Sequence, residues 1–105
     1  MGADEFQTAM QRLLTQVGHW ETGRWGAAAG SGGGSRGDHV YALVQRLADH
    51  AADAGHHPRR VVPREPDMIL PDQLRVMSDD LLAAEPAAEL LSRAMSDITE
   101  VRTGL

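Results

Sequence analysis

The chain has 105 residues, a formal net charge of −5 and no cysteine. This length fits one domain, which we place over residues 1–105, because single domains typically hold about 100 to 150 residues. Without cysteine the chain cannot form a disulfide, use a thiol in catalysis or bind zinc through thiolates. The ten positive charges are all arginines. That usage is typical of a GC-rich, bacterial genome.

Neither a membrane segment nor a signal peptide is predicted. No stretch reaches the roughly 18 apolar residues of a bilayer span, and the first five residues are acidic where a signal peptide is basic. We therefore expect a cytoplasmic protein with no membrane partner. Residues 65–105 hold nine acidic residues against three arginines. Because such a surface repels phosphate groups, nucleic-acid binding is disfavoured.

The first predicted helix covers residues 4–21. Apolar side chains at helical spacing form one face, and two tryptophans close its end; these residues are Phe6, Met10, Leu13, Leu14, Val17, Trp20 and Trp25. Residues 22–37 are rich in glycine and serine, which predicts a flexible tether. Closing such a loop costs about 2 kcal/mol, whereas burying the helix face gives about 7 to 12 kcal/mol. The helix should therefore dock, on its own chain or on a second copy.

The second predicted helix covers residues 38–54. Ser35 and Asp38 have the spacing of a capping box, and Asp38 alone would equally serve as the N-cap. Gly55 is expected to supply the left-handed residue that often ends a helix. Four prolines between positions 58 and 71 then predict an extended strap over residues 55–70, with room for one short β-bridge at Val61 and Val62.

Two further helices are predicted over residues 71–84 and 86–103. Pro71 and Pro86 suit the first turn of each helix, and apolar stripes follow both prolines. Since the two helices are joined almost directly, we expect a tight antiparallel hairpin or one kinked helix. The predicted fold is all-α: a small four-helix bundle with a Gly/Ser-rich tether after the first helix and a Pro-rich strap between the second and third.

The candidate metal ligands lie in the last turns of the second predicted helix and just after it. Imidazole and carboxylate side chains at near-helical spacing suit zinc or nickel; the four are His50, Asp53, His56 and His57. Gly55 weakens the pattern, because it should end the helix before His56.

No cofactor and no catalytic residue are predicted, since no nucleophile accompanies His19 or His39. The glycine tract also lacks the lysine of a phosphate-binding loop.

No motif specifies a reaction, so the leading hypothesis is a small non-enzymatic helical protein that binds another protein. Binding could use the first helix face, with a homodimer as one outcome, or the strap, where Arg60, Pro63 and Pro66 follow the pattern of a proline-rich ligand. A metal-binding protein using the four candidate ligands is the second hypothesis, and a nucleic-acid-binding regulator is the third. Arg59, Arg60 and Arg64 should pair with the acidic third and fourth helices, or else bind an anion or acidic partner.

Overall fold

The computed structural model describes residues 2–30 and 32–105. Within these ranges the chain is helical and contains no strand, which confirms the all-α fold class. A 3₁₀ turn, Asp67–Ile69, precedes the fourth helix. None of the described helices is both long enough and apolar enough to cross a membrane. The helices are α1 (Ala3–Val17), α2 (Thr22–Gly26), α3 (Arg36–Ala54), α4 (Leu70–Ala83) and α5 (Ala88–Gly104).

The four long helices, α1, α3, α4 and α5, form the bundle. α3 packs against α4 and α5, and α1 packs against the same two helices. One diagonal of the bundle is therefore α1 and α3, and the other is α4 and α5. Neither arrangement predicted for the last two helices, a tight hairpin or one kinked helix, is present. α4 and α5 are separate helices that hardly touch, because each buries its apolar face against α1 and α3.

The apolar face of α1 lies at the centre of the core. Its five large side chains are buried, and so are the two tryptophans that follow. α4 and α5 supply the surface that covers this face. In this fold the chain therefore covers the apolar face of its own first helix. The buried residues are Phe6, Met10, Leu13, Leu14, Val17, Trp20 and Trp25.

The segment predicted as a flexible tether has local structure of its own. It contains α2, and after α2 an isolated antiparallel bridge joins Ala28 to Ser35. The Gly30 N–H donates to the Gly104 carbonyl over 2.8 Å, which ties the loop to the end of α5. The prediction missed this local structure because glycine permits disorder without requiring it. Here hydrogen bonds to residues far along the chain determine the backbone conformation of the segment.

The two ends of α3 differ in how well they match the predictions. At its start the Ser35 hydroxyl accepts from the Asp38 N–H and the Asp38 carboxylate accepts from the Ser35 N–H, each over 3.0 Å. The capping box is confirmed. At its end Gly55 has φ −88°, and His56 takes the left-handed conformation with φ 57°. The expectation for Gly55 is therefore wrong by one residue, since the His57 N–H closes the turn onto the Ala52 carbonyl.

Candidate protein-binding surface

The strap predicted over residues 55–70 is extended only over residues 57–66, because a 3₁₀ turn begins at Asp67. From here on the strap means residues 57–66, which side-chain hydrogen bonds hold against α3. The Gln45 amide donates to the Arg60 carbonyl over 2.9 Å and accepts from the Val62 N–H over 2.8 Å. The Tyr41 hydroxyl donates to the Val62 carbonyl. These bonds satisfy backbone groups that have no ladder partner. The β-bridge expected at Val61 and Val62 is absent from the described residues, because side chains take its place.

The strap runs back between two parallel helices. At one end the start of α3 meets the turn before α4, where Gly37 is buried against the Asp67 carboxylate. At the other end, the last turns of both helices line one groove. The Gln73 amide of α4 donates to the Pro63 carbonyl over 3.2 Å, so the strap is held from both sides. This geometry explains why the segment is ordered although it is neither helix nor strand.

A groove of about 640 Å³ opens where α3, the strap and the end of α4 meet. Its size lies within the range of ligand pockets. The groove contains three polar side chains, those of His57, Arg60 and Asp80. The rest is mainly small and apolar, with walls that include Ala48, Ala51, Ala52, Met77, Ala83 and Ala84.

The three arginines of the strap differ in their partners. Arg59 donates to both carboxylate oxygens of Asp53, over 3.0 and 2.7 Å, and these hydrogen bonds lower the pKa of Asp53. Arg64 pairs with Asp67 over 2.7 Å. The Arg60 side chain has no hydrogen bond or ion pair among the described residues. The expected pairing thus occurs for two arginines, but with α3 and the 3₁₀ turn rather than with α4 and α5.

The exposed apolar side chains are concentrated in one segment. Among the described residues, four large apolar side chains are exposed, and all lie between positions 61 and 76. Their exposed fractions are 83% for Val61, 55% for Met68, 41% for Ile69 and 52% for Val76. Everywhere else in the described chain, large apolar side chains are at least partly buried. This segment therefore holds the exposed large apolar side chains of the described chain.

Exposed apolar residues at the start of α4 and along it form a line, which we call the outer stripe: Ile69, the last residue of the 3₁₀ turn, and Val76 and Ala83 of α4. Residues seven apart are two helical turns apart and nearly aligned, so these three lie on the side opposite the buried Leu74. Sequence reasoning missed the stripe because it followed the core face of α4. The available signal was Val76, whose position is out of phase with that face.

Carboxylates flank the outer stripe on both sides. Asp72 and Asp79 lie along one edge, and Asp80 lies along the edge next to the groove. Asp72 pairs with Arg75 over 3.1 Å. No ion pair to Asp79 or Asp80 occurs in the described part of the chain. The stripe is therefore apolar along its centre and negative along its edges.

The ten residues predicted to bind protein divide into two groups. The seven from α1 and the tryptophan segment are buried in the core of this chain, so this fold does not expose them to a partner. Arg60, Pro63 and Pro66 are exposed on the strap. Of the two predicted surfaces, the strap is therefore the exposed one, and the outer stripe lies beside it. We refer to the strap, the groove and the outer stripe together as the strap face.

The structure does not bring the four candidate metal ligands together. His50 Nε2 lies 2.8 Å from the Asp97 carboxylate of α5, and Asp53 is occupied by Arg59. His56 and His57 are exposed beyond the end of α3. Across residues 2–30 and 32–105, no three histidine or acidic side chains are grouped closely enough to hold a metal ion.

The fold and the strap face define a small all-α protein with an apolar surface bordered by carboxylates. No family model, curated protein or solved structure matches this chain.

Proposed function

We propose that this protein is a non-enzymatic interaction module that binds a partner protein through the strap face. One observation carries the proposal: in the described residues the four exposed large apolar side chains share one segment, while 20 apolar side chains are buried in the core. Large contiguous apolar surface is rare on soluble monomers and marks interaction sites, so a segment that gathers the exposed apolar side chains is the best candidate for one. We include in this proposal the cytoplasmic location that the composition led us to expect.

Preorganisation of the strap supports the same function. Hydrogen bonds from Tyr41, Gln45 and Gln73 already fix its backbone. A partner therefore does not have to order an extended segment when it binds, and affinity is higher when that entropy is lost beforehand. The unpaired Arg60 lies beside the groove and offers a charged contact at the rim.

The two other sequence hypotheses gain no support. The candidate metal ligands point to different partners, with His50 on Asp97 and Asp53 on Arg59. A nucleic-acid-binding regulator would need a basic surface, whereas residues 65–105 carry nine acidic residues and three arginines. The arginines of the strap are mostly neutralised by Asp53 and Asp67.

Site-specific photo-crosslinking in the native host tests the proposal. A photoreactive amino acid replaces Val61 or Val76 on the strap face, or Glu100 on α5 as a matched exposed control. We expect the same discrete crosslinked partner from positions 61 and 76 and none from position 100. The proposal fails if positions 61 and 76 yield no specific product, or if position 100 captures the same protein equally well.

A further inference from the structure

We infer that the partner of the strap face is a basic amphipathic helix of another protein. This inference rests on the proposed function and adds the chemistry of the partner. It is carried by two properties of α4 that occur together, the straight apolar line of the outer stripe and the carboxylates on both of its edges.

The shape of the outer stripe fits a helix. Ile69, the N-cap of α4, and Ala83, its last residue, are 14 residues apart, which corresponds to about 21 Å or four turns at the rise of an α-helix. Val76 lies midway between them. A partner helix that places apolar residues three and four apart would cover such a line, and this is how amphipathic helices bind exposed helix faces. An extended peptide fits less well, because the strap carbonyls of Arg60, Val62 and Pro63 already accept hydrogen bonds from this chain.

The charge of the surface sets the charge of the partner. Residues 57–85 contain six acidic residues and four arginines. Three of these arginines are ion-paired, and the fourth, Arg60, lies on the strap rather than on α4. Arg75 is engaged with Asp72, so Asp79 and Asp80 remain available on opposite edges of the stripe. A helix with arginine or lysine on both sides of its apolar line would place a positive charge opposite each of them. Complementary rim charges raise the association rate and exclude wrong partners.

The same charges argue against a second copy of this chain. Each copy has a net charge of −5, and α4 against α4 would place Asp79 and Asp80 of both copies close together. Like charges across an interface cost free energy. An acidic membrane surface or a nucleic acid is disfavoured for the same reason.

Two synthetic peptides test the inference on the full-length protein. Both are 18 residues long with leucine at heptad positions a and d; one carries arginine at positions e and g, and the other carries glutamate. Fluorescence anisotropy measures their affinity at 0.05 M and 0.15 M salt. We expect the basic peptide to bind and to weaken with salt, and the acidic peptide to bind at least about tenfold more weakly.

Charge-matched variants locate the binding site. The double variant Asp79→Asn/Asp80→Asn should weaken the basic peptide about fivefold, and Val76→Ser should weaken it about tenfold. The control Glu89→Gln/Glu100→Gln on α5 removes the same charge and should leave the affinity unchanged. All five residues are exposed, so each variant should fold.

Three results would overturn the inference: no binding of the basic peptide, equal binding of both peptides, or equal loss in the α4 and α5 charge variants. If any of these three results is obtained but crosslinking from position 76 still captures a partner, the inference fails and the proposed function stands. If crosslinking fails while the peptide binds as expected, the proposed function fails and only a surface affinity remains.

Discussion

The apolar face of α1 and the outer stripe both consist of apolar residues at helical spacing. The α1 face is buried, whereas the outer stripe is exposed. The α1 face is broad, because Leu13 and Leu14 widen the line that starts at Phe6, and it is buried by the same chain. The outer stripe of α4 is one residue wide and is bordered by carboxylates. A wide apolar face directs packing into the core of the chain. A narrow line with charged edges cannot enter that core without burying carboxylates that have no opposite charge beside them. In this protein the width of the apolar face therefore distinguishes the helix face that packs into the core from the one that stays at the surface.

The largest expected effect is on the covered face. Phe6→Ala should lower the free energy of unfolding by about 3 to 5 kcal/mol, because Phe6 is fully buried and its removal leaves a cavity. Urea unfolding followed by tryptophan fluorescence measures the change. A loss below about 1 kcal/mol would show that the α1 face is not core, and would remove the contrast with the outer stripe.

The strap should be the next most sensitive region. Gln45→Ala removes both hydrogen bonds to the strap backbone and leaves the Val62 N–H without a partner, which should cost about 1 to 3 kcal/mol. Gln11→Ala is the control, since Gln11 is exposed and bonds only to Thr15 in the next turn. Equal stability of the two variants in urea would mean that the strap is not held by Gln45.

A stabilising change is expected where the strap begins. His56→Gly should raise the free energy of unfolding by about 0.5 to 1 kcal/mol, because His56 has φ 57° and glycine adopts that conformation without steric cost. His57→Gly, one residue later, should give no such gain. Thermal unfolding compares the two; if both variants are destabilised, the left-handed helix end is not present in solution.

The capping box predicts a pH dependence. The backbone N–H of Ser35, followed by its hydroxyl, lowers the pKa of Asp38 below the usual value of 3.8. A lowered folded pKa means that this stabilisation is full above the unfolded pKa and is lost as pH falls through the folded pKa. Asp38→Asn should therefore be less stable than the native chain at pH 7, with a difference that shrinks towards pH 2. A difference that is constant across this range would contradict the role of the carboxylate charge.

The smallest expected effect on stability is on the open face. Val76→Ser should change the free energy of unfolding by less than about 0.5 kcal/mol, since the side chain is 52% exposed. Ile98→Ser, on the buried face of α5, is the contrasting variant and should be strongly destabilised. Urea unfolding of the two variants compares them directly. A large loss for Val76→Ser would mean that the outer stripe stabilises the fold itself.

The long helices and the capping box could be predicted because they depend on local patterns. The burial of Phe6 follows from helical spacing, and the start of α3 follows from the Ser35 and Asp38 pair. The end of α3 was missed by one residue, because the hydrogen bond of His57 to Ala52 decides which residue turns left-handed. Local composition favours glycine there, and the closing bond overrides it.

The strap face depends on contacts between residues distant in the chain, and only part of it was predictable. The prolines predict an extended segment, but not that Gln45 and Gln73 hold it from two helices. Val76 is visible in the sequence as an apolar residue among acidic ones. Its exposure becomes evident only once Leu74 and Leu81 show which side of α4 packs into the core.

Hydrogen–deuterium exchange of the protein, free and bound to the partner captured at position 76, is the most direct test of this account. We predict that binding slows exchange in the strap and in α4, residues 57–83, and leaves α1, residues 3–17, unchanged. The account is contradicted if binding changes exchange in α1 while residues 57–83 exchange at the same rate as in the free protein.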